Sequence, residues 1–102
     1  MTKPILFGIS DTDLSKITSL LRSTAGVEKA RIFGSRALGT FRAGSDIDIA
    51  VTAPAMDHTQ FLRLSTSLDD LMLPYKIDLI IMHHIDNDPL TEHIESVGIS
   101  LW

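Results

Sequence analysis

Apolar residues recur along this chain in two rhythms that alternate from one segment to the next. Leu14, Ile17 and Leu21 fall at helical spacing, preceded by Ser10 with Asp13 three residues on, and followed by Gly26 as a stop, which predicts a helix over 11–24. Val27 to Phe33 then reads as a strand running straight into Gly34-Ser35, and 36–42 as a short helix weakened by Gly39 and Thr40. Ile47-Asp48-Ile49-Ala50-Val51 is a second strand, bounded by Gly44-Ser45 and Pro54. Phe61, Leu64, Leu68 and Leu71 mark one face of a helix over 57–71, and Lys76 to Met82 is a third strand rich in Ile and Leu. Asp88-Pro89 reads as an N-cap with Pro at the first helical position, Leu90, Ile94 and Val97 as the stripe of a last helix ended by Gly98, and Ile99 to Trp102 as a short edge strand. The order α-β-(short α)-β-α-β-α-β predicts an α+β fold, a small sheet covered by helices.

Composition narrows the class without naming a function. The 102 residues match one small domain spanning 1–102, and 44% hydrophobic with 22% charged residues is ordinary globular usage. Disorder, collagen-like repeats and a disulfide scaffold are excluded, the last by the absence of cysteine. No apolar run approaches the roughly 20 residues of a membrane span. Ile5-Leu6-Phe7 is too short for the apolar region of a secretory signal, so a cytoplasmic protein without membrane contact is expected. Nine Lys and Arg against 13 Asp and Glu leave a net charge of −4, which argues against broad capture of nucleic acid.

The chemistry sits in Gly34-Ser35, ten further residues, then Asp46-Ile47-Asp48. Side chains at i and i+2 of a strand share a face, so Asp46 and Asp48 are expected to point together while Ile47 and Ile49 enter the core. Two adjacent carboxylates repel, and Mg²⁺, a hard cation, relieves that repulsion while keeping positions open for substrate phosphates. Asp78 lies in an otherwise apolar strand; beside the first pair it completes a set of three, suited to two metal ions. Gly34 lets a phosphate approach the backbone, Ser35 adds a hydroxyl, and the helix start offers free N–H groups. Arg36 and Arg42 stand between the turn and the carboxylates as phosphate ligands, with surface arginines as the bland alternative. Ser45 either contacts the nucleotide or caps the turn before the strand. His83-His84 reads as a surface pair, because adjacent strand residues face opposite sides. At ordinary residue usage, Gly-Ser and the two aspartates match by chance on the order of 10⁻³ per chain of this length, so the spacing is a signal.

The stretch Arg31-Ile32-Phe33-Gly34-Ser35-Arg36-Ala37-Leu38-Gly39-Thr40 through Ser45-Asp46-Ile47-Asp48-Ile49 resembles the signature of minimal nucleotidyltransferase (MNT) domains of the DNA polymerase β-like superfamily. Lys76-Ile77-Asp78-Leu79-Ile80 is similar to that family's third-carboxylate strand, and 94–102 to its closing helix-Gly-strand. The resemblance implies the polymerase β-like fold, a small mixed β-sheet flanked by helices. It also implies Gly34 and Ser35 on the β- and γ-phosphates, and Asp46, Asp48 and Asp78 on two Mg²⁺ ions. Asp78 would further help to activate the acceptor hydroxyl. Many members are antitoxins paired with a HEPN-domain toxin, for which the implied reaction is transfer of AMP from ATP to a toxin tyrosine. The chain departs from the family at Leu38, where a basic residue is common. Neutralisation of the toxin by binding alone, and modification of a small molecule as by antibiotic nucleotidyltransferases, are the alternatives. With a HEPN partner, a hetero-oligomer or a homodimer is expected. Assigning three acids to metal leaves 10 against nine bases, so the acidity reads as a cation site rather than a general surface property.

Overall fold

The computed structural model describes residues 6–102. After a 3₁₀ turn at Leu6–Gly8, the chain forms α1 (Asp11–Ser23), β1 (Lys29–Phe33), α2 (Gly34–Leu38), β2 (Ile47–Thr52), α3 (His58–Asp69), β3 (Ile77–Ile81), a second 3₁₀ turn (Met82–His84), α4 (Asp88–Val97) and β4 (Ile99–Ser100). The predicted order of helices and strands is the observed one. The Ile5 end of the apolar Ile5-Leu6-Phe7 stretch lies outside the described residues.

Local chemistry accounts for most boundaries. The Ser10 hydroxyl accepts from the Asp13 N–H at 3.2 Å and opens α1. Asp57 and Gln60 form a full capping box at the start of α3: each side chain accepts from the other residue's N–H, at 2.8 and 2.9 Å. The last helix is capped one residue earlier than its sequence suggests. Asn87 supplies the oxygen that accepts from the Leu90 N–H at 3.1 Å, which moves Asp88 and Pro89 into the first turn. The short helix is also displaced, starting at Gly34 directly off β1 and ending where the Gly39 N–H donates to the Ser35 carbonyl.

The four strands run in the order β3-β2-β1-β4. β1 is antiparallel to β2 and β4, whereas β2 and β3 are parallel with α3 as their crossover, so the sheet is mixed. Side-chain alternation splits its two faces. Ala30, Ile32, Ile47, Ile49, Val51 and Ile81 face Ile17 and Leu21 of α1 and Leu64 and Leu68 of α3. Phe33, Ala50 and Ile80 face α4 through Leu90, Ile94 and Val97. By the same alternation, Asp48 and Asp78 belong to the α4 face, at the end where β1 passes into α2. Among the described residues no helix is long and apolar enough to cross a membrane.

Candidate active site

Strand register brings the central pair together. In the parallel ladder Asp48 is the partner of Asp78, and in the antiparallel ladder it is the partner of Phe33, the residue before Gly34. Asp48 therefore stands at one level of the sheet with the turn on one side and a second carboxylate on the other. Gly34 has φ +72°, and a Cβ built on it would run into the Asp48 carboxylate. Glycine is required here twice over, for its backbone conformation and for the room it leaves that carboxylate. Ser35 is half-buried in the first turn of α2. With five residues that helix has little dipole, so its contribution is the unpaired N–H groups of its start.

Asp46 precedes Ile47, the first residue of β2, so the loop rather than the pleat sets its direction. It is nonetheless close enough for its charge to reach Asp48. The Asp48 carboxyl is held above its ordinary value of 3.8, first by burial and then by the negative charges of Asp78 and Asp46, with His93 opposing them. Among the described residues no three His, Cys, Asp or Glu side chains converge as a ready-made cage. The expected convergence of three carboxylates thus appears as a register pair with a third charge nearby. Their chemistry fits Mg²⁺: all-oxygen donors with negative charge in excess.

This raised carboxyl has a measurable consequence. The folded chain holds the Asp48 proton more tightly than the unfolded chain does, so stability declines as pH rises from 3.8 through the raised value. The cost is complete above that value and absent below 3.8. In urea unfolding across pH 3.5 to 7, Asp48→Asn is expected to flatten this decline and to be at least as stable as wild type at neutral pH. An unchanged pH profile would show that Asp48 carries no such cost.

Arg36 is placed differently from expectation. The Arg36 side chain is buried, at 3% exposure, and donates to the main-chain carbonyls of Phe7 and Ser45. The spacing that put it beside the phosphates could not foresee acceptors supplied from residue 7. Arg42 is exposed; its main-chain N–H donates to the Ser45 hydroxyl at 2.8 Å, while the Ser45 N–H donates back to the Arg42 carbonyl at 2.9 Å. Ser45 therefore closes the turn before β2. His83 and His84 are exposed, with ring centroids 4.2 Å apart on a 3₁₀ turn instead of on opposite faces of a strand. Sequence reasoning missed His93, whose ring lies edge-on to Phe33 at 6.1 Å and whose charge acts on Asp48. The signal was present: His93 is three residues after Leu90 and four before Val97, on the apolar stripe of α4.

Comparisons with known proteins converge on one family. Residues 15–102 match the family model described as polymerase beta, nucleotidyltransferase. A solved toxin–antitoxin structure with AMP-PNP is similar over 87% of this chain and 72% of its own, with 30% identity and a TM-score of 0.73. A structure of the tri-AMPylated Shewanella oneidensis HEPN toxin in complex with MNT antitoxin is similar over 89% of this chain and 70% of its own, with 26% identity and a TM-score of 0.67. A nucleotidyltransferase-like structure from Sulfolobus solfataricus covers all of this chain and 91% of its own at 19% identity and a TM-score of 0.52, a likeness of fold. No curated protein matches the chain.

Proposed function

The chain belongs to the polymerase beta nucleotidyltransferase family, and on that premise we propose that it transfers AMP from ATP to a hydroxyl of a HEPN-domain toxin, a tyrosine by preference, and so acts as an antitoxin. The observation that carries this reading is the level of the sheet at which Gly34, Asp48 and Asp78 meet, with Asp46 adjoining. Likeness to a toxin–antitoxin structure with AMP-PNP and to one holding an AMPylated HEPN toxin supports the choice of nucleotide and acceptor. We assign residues 1–102 to one nucleotidyltransferase unit working in the cytoplasm as part of a hetero-oligomer.

In this mechanism the acceptor oxygen attacks the α-phosphorus of ATP in line. The bond from that phosphorus to the oxygen bridging to the β-phosphorus breaks, and pyrophosphate leaves. Asp78 takes the acceptor's proton. Gly34 and Ser35 hold the β- and γ-phosphates against the turn, and exposed Arg42, in the loop between α2 and β2, meets their charge. Asp46, Asp48 and Asp78 would hold Mg²⁺, which when bound offsets the charge of the carboxylates and the triphosphate. The chain's contribution is mainly orientation and electrostatics, as in phosphoryl transfer generally.

The test uses ATP labelled at one phosphate at a time. With Mg²⁺ and the HEPN-domain protein, label in the α-phosphate should appear on the toxin and label in the γ-phosphate should leave as pyrophosphate. Transfer of γ-label, or of neither, overturns the reading. Leu38 is 53% exposed in α2, at the point where the family commonly has a cation, and this favours a second reading in which binding alone neutralises the toxin. A transfer-dead variant that still protects cells at equal expression would select it.

A further inference from the structure

Asp46 has an anchoring problem that its neighbour Asp48 does not. Asp48 is held by ladders on both sides, but Asp46 sits outside β2 as the last residue of an eight-residue stretch, 39–46, with no regular structure. Its downstream side is secured where the Ile47 N–H donates to the Lys76 carbonyl at 2.8 Å. On its upstream side, Arg36 donates from Nε at 3.1 Å and from Nη2 at 2.7 Å to a single oxygen, the carbonyl of Ser45. That carbonyl belongs to the peptide unit joining Ser45 to Asp46.

The guanidinium is itself fixed from every direction. Nη1 donates to the Phe7 carbonyl at 2.8 Å, and Phe7 has φ +59°, a conformation a non-glycine residue keeps when surrounding contacts demand it. The Phe41 and Tyr75 rings lie 5.2 and 5.1 Å from the guanidinium carbon. Arginine stays charged when buried, and here its charge is met by carbonyl dipoles and ring faces rather than by a carboxylate. The residue thus ties the Leu6–Gly8 turn, α2, the loop before β2 and the entry to β3 into one assembly. Lysine cannot replace it, because one ammonium cannot chelate Ser45 and reach Phe7 as well.

We infer that Arg36 is a positioning residue: through the Ser45 carbonyl it sets the backbone, and so the carboxylate, of Asp46. This rests on the reading of Asp46 and Asp48 as the nucleotidyl-transfer site. It also replaces the phosphate contact expected of Arg36 from its place in the sequence.

The test compares the full wild-type chain with Arg36→Lys and with Tyr75→Leu, which leaves the arginine but strips one ring from its seat. Three readouts are taken: ¹⁵N relaxation at Asp46, Mn²⁺ binding by electron paramagnetic resonance, and α-label transfer. In Arg36→Lys the order parameter at Asp46 should fall from the rigid range of about 0.85 toward about 0.6. Mn²⁺ should bind about tenfold more weakly and kcat should fall, while the KM for ATP at saturating Mg²⁺ stays within about twofold. Tyr75→Leu should show the same changes to a smaller degree, and it decides the matter if Arg36→Lys does not fold. An Asp46 as rigid as in wild type, with unchanged Mn²⁺ affinity, overturns the inference. So does a raised KM for ATP at unchanged Mn²⁺ affinity, which is the signature of a phosphate ligand. Failure of the wild-type chain to transfer label would count against the proposed reaction, whereas rigidity at Asp46 would still report on Arg36.

Discussion

Replacing Asp46 and Asp48 together with asparagine is expected to lower α-label transfer at least about 10³-fold, equivalent to about 4 kcal/mol of transition-state stabilisation. Asparagine keeps the shape of each side chain but removes the negative charge that holds Mg²⁺. The fold should survive, because neither carboxylate belongs to the apolar cores on the two faces of the sheet. Thermal unfolding at neutral pH should show no loss and a gain where Asp48 is relieved of its burial and of its neighbours' repulsion. In the wild type, Mg²⁺ should raise the melting temperature; in the double variant it should not. Each single substitution should cost nearly as much as both, since groups that act as a unit are not additive. Transfer within about tenfold of wild type in a folded double variant would remove these carboxylates from the chemistry.

Gly34→Ala is expected to fail for a different reason. An alanine at φ +72° costs about 1–2 kcal/mol from its own backbone. Its Cβ also occupies the space of the Asp48 carboxylate, which must turn away. A displacement of that kind at a reacting centre costs on the order of 10²-fold in rate. Gly26→Ala separates the two effects. Gly26 has φ +89°, but a Cβ there meets nothing within 4 Å. Both variants should therefore lose comparable stability in denaturant unfolding, while Gly34→Ala alone loses transfer. Equal transfer by the two would mean that Gly34 serves the turn and nothing more.

Much of this was legible before folding because the relevant physics is local. The stripes Leu14-Ile17-Leu21 and Leu90-Ile94-Val97 place one face of each helix on the core whatever lies opposite. Gly34-Ser35 at a strand end, and a carboxylate in the second and third strands, are stated by neighbours in the chain. Boundaries moved where two local rules competed, as when Asn87 took the cap that Asp88 also offered. The 3₁₀ turns at Leu6–Gly8 and Met82–His84 have no periodicity to announce them.

The sequence by itself determined the order of elements, the α+β class and the chemical inventory of the site, since each depends on residues within a few positions of one another. Tertiary structure decided how that inventory is used. Parallel pairing of β2 with β3 made partners of Asp48 and Asp78, thirty positions apart. Packing of α4 brought His93 to Phe33 and its charge to Asp48. Closure of the N-terminal turn gave Arg36 a carbonyl twenty-nine residues away, and with it a place inside the protein. A side chain's propensity is settled by its neighbours in sequence, but its partner is settled by whichever groups the fold leaves within about 3 Å, and only the folded chain specifies those.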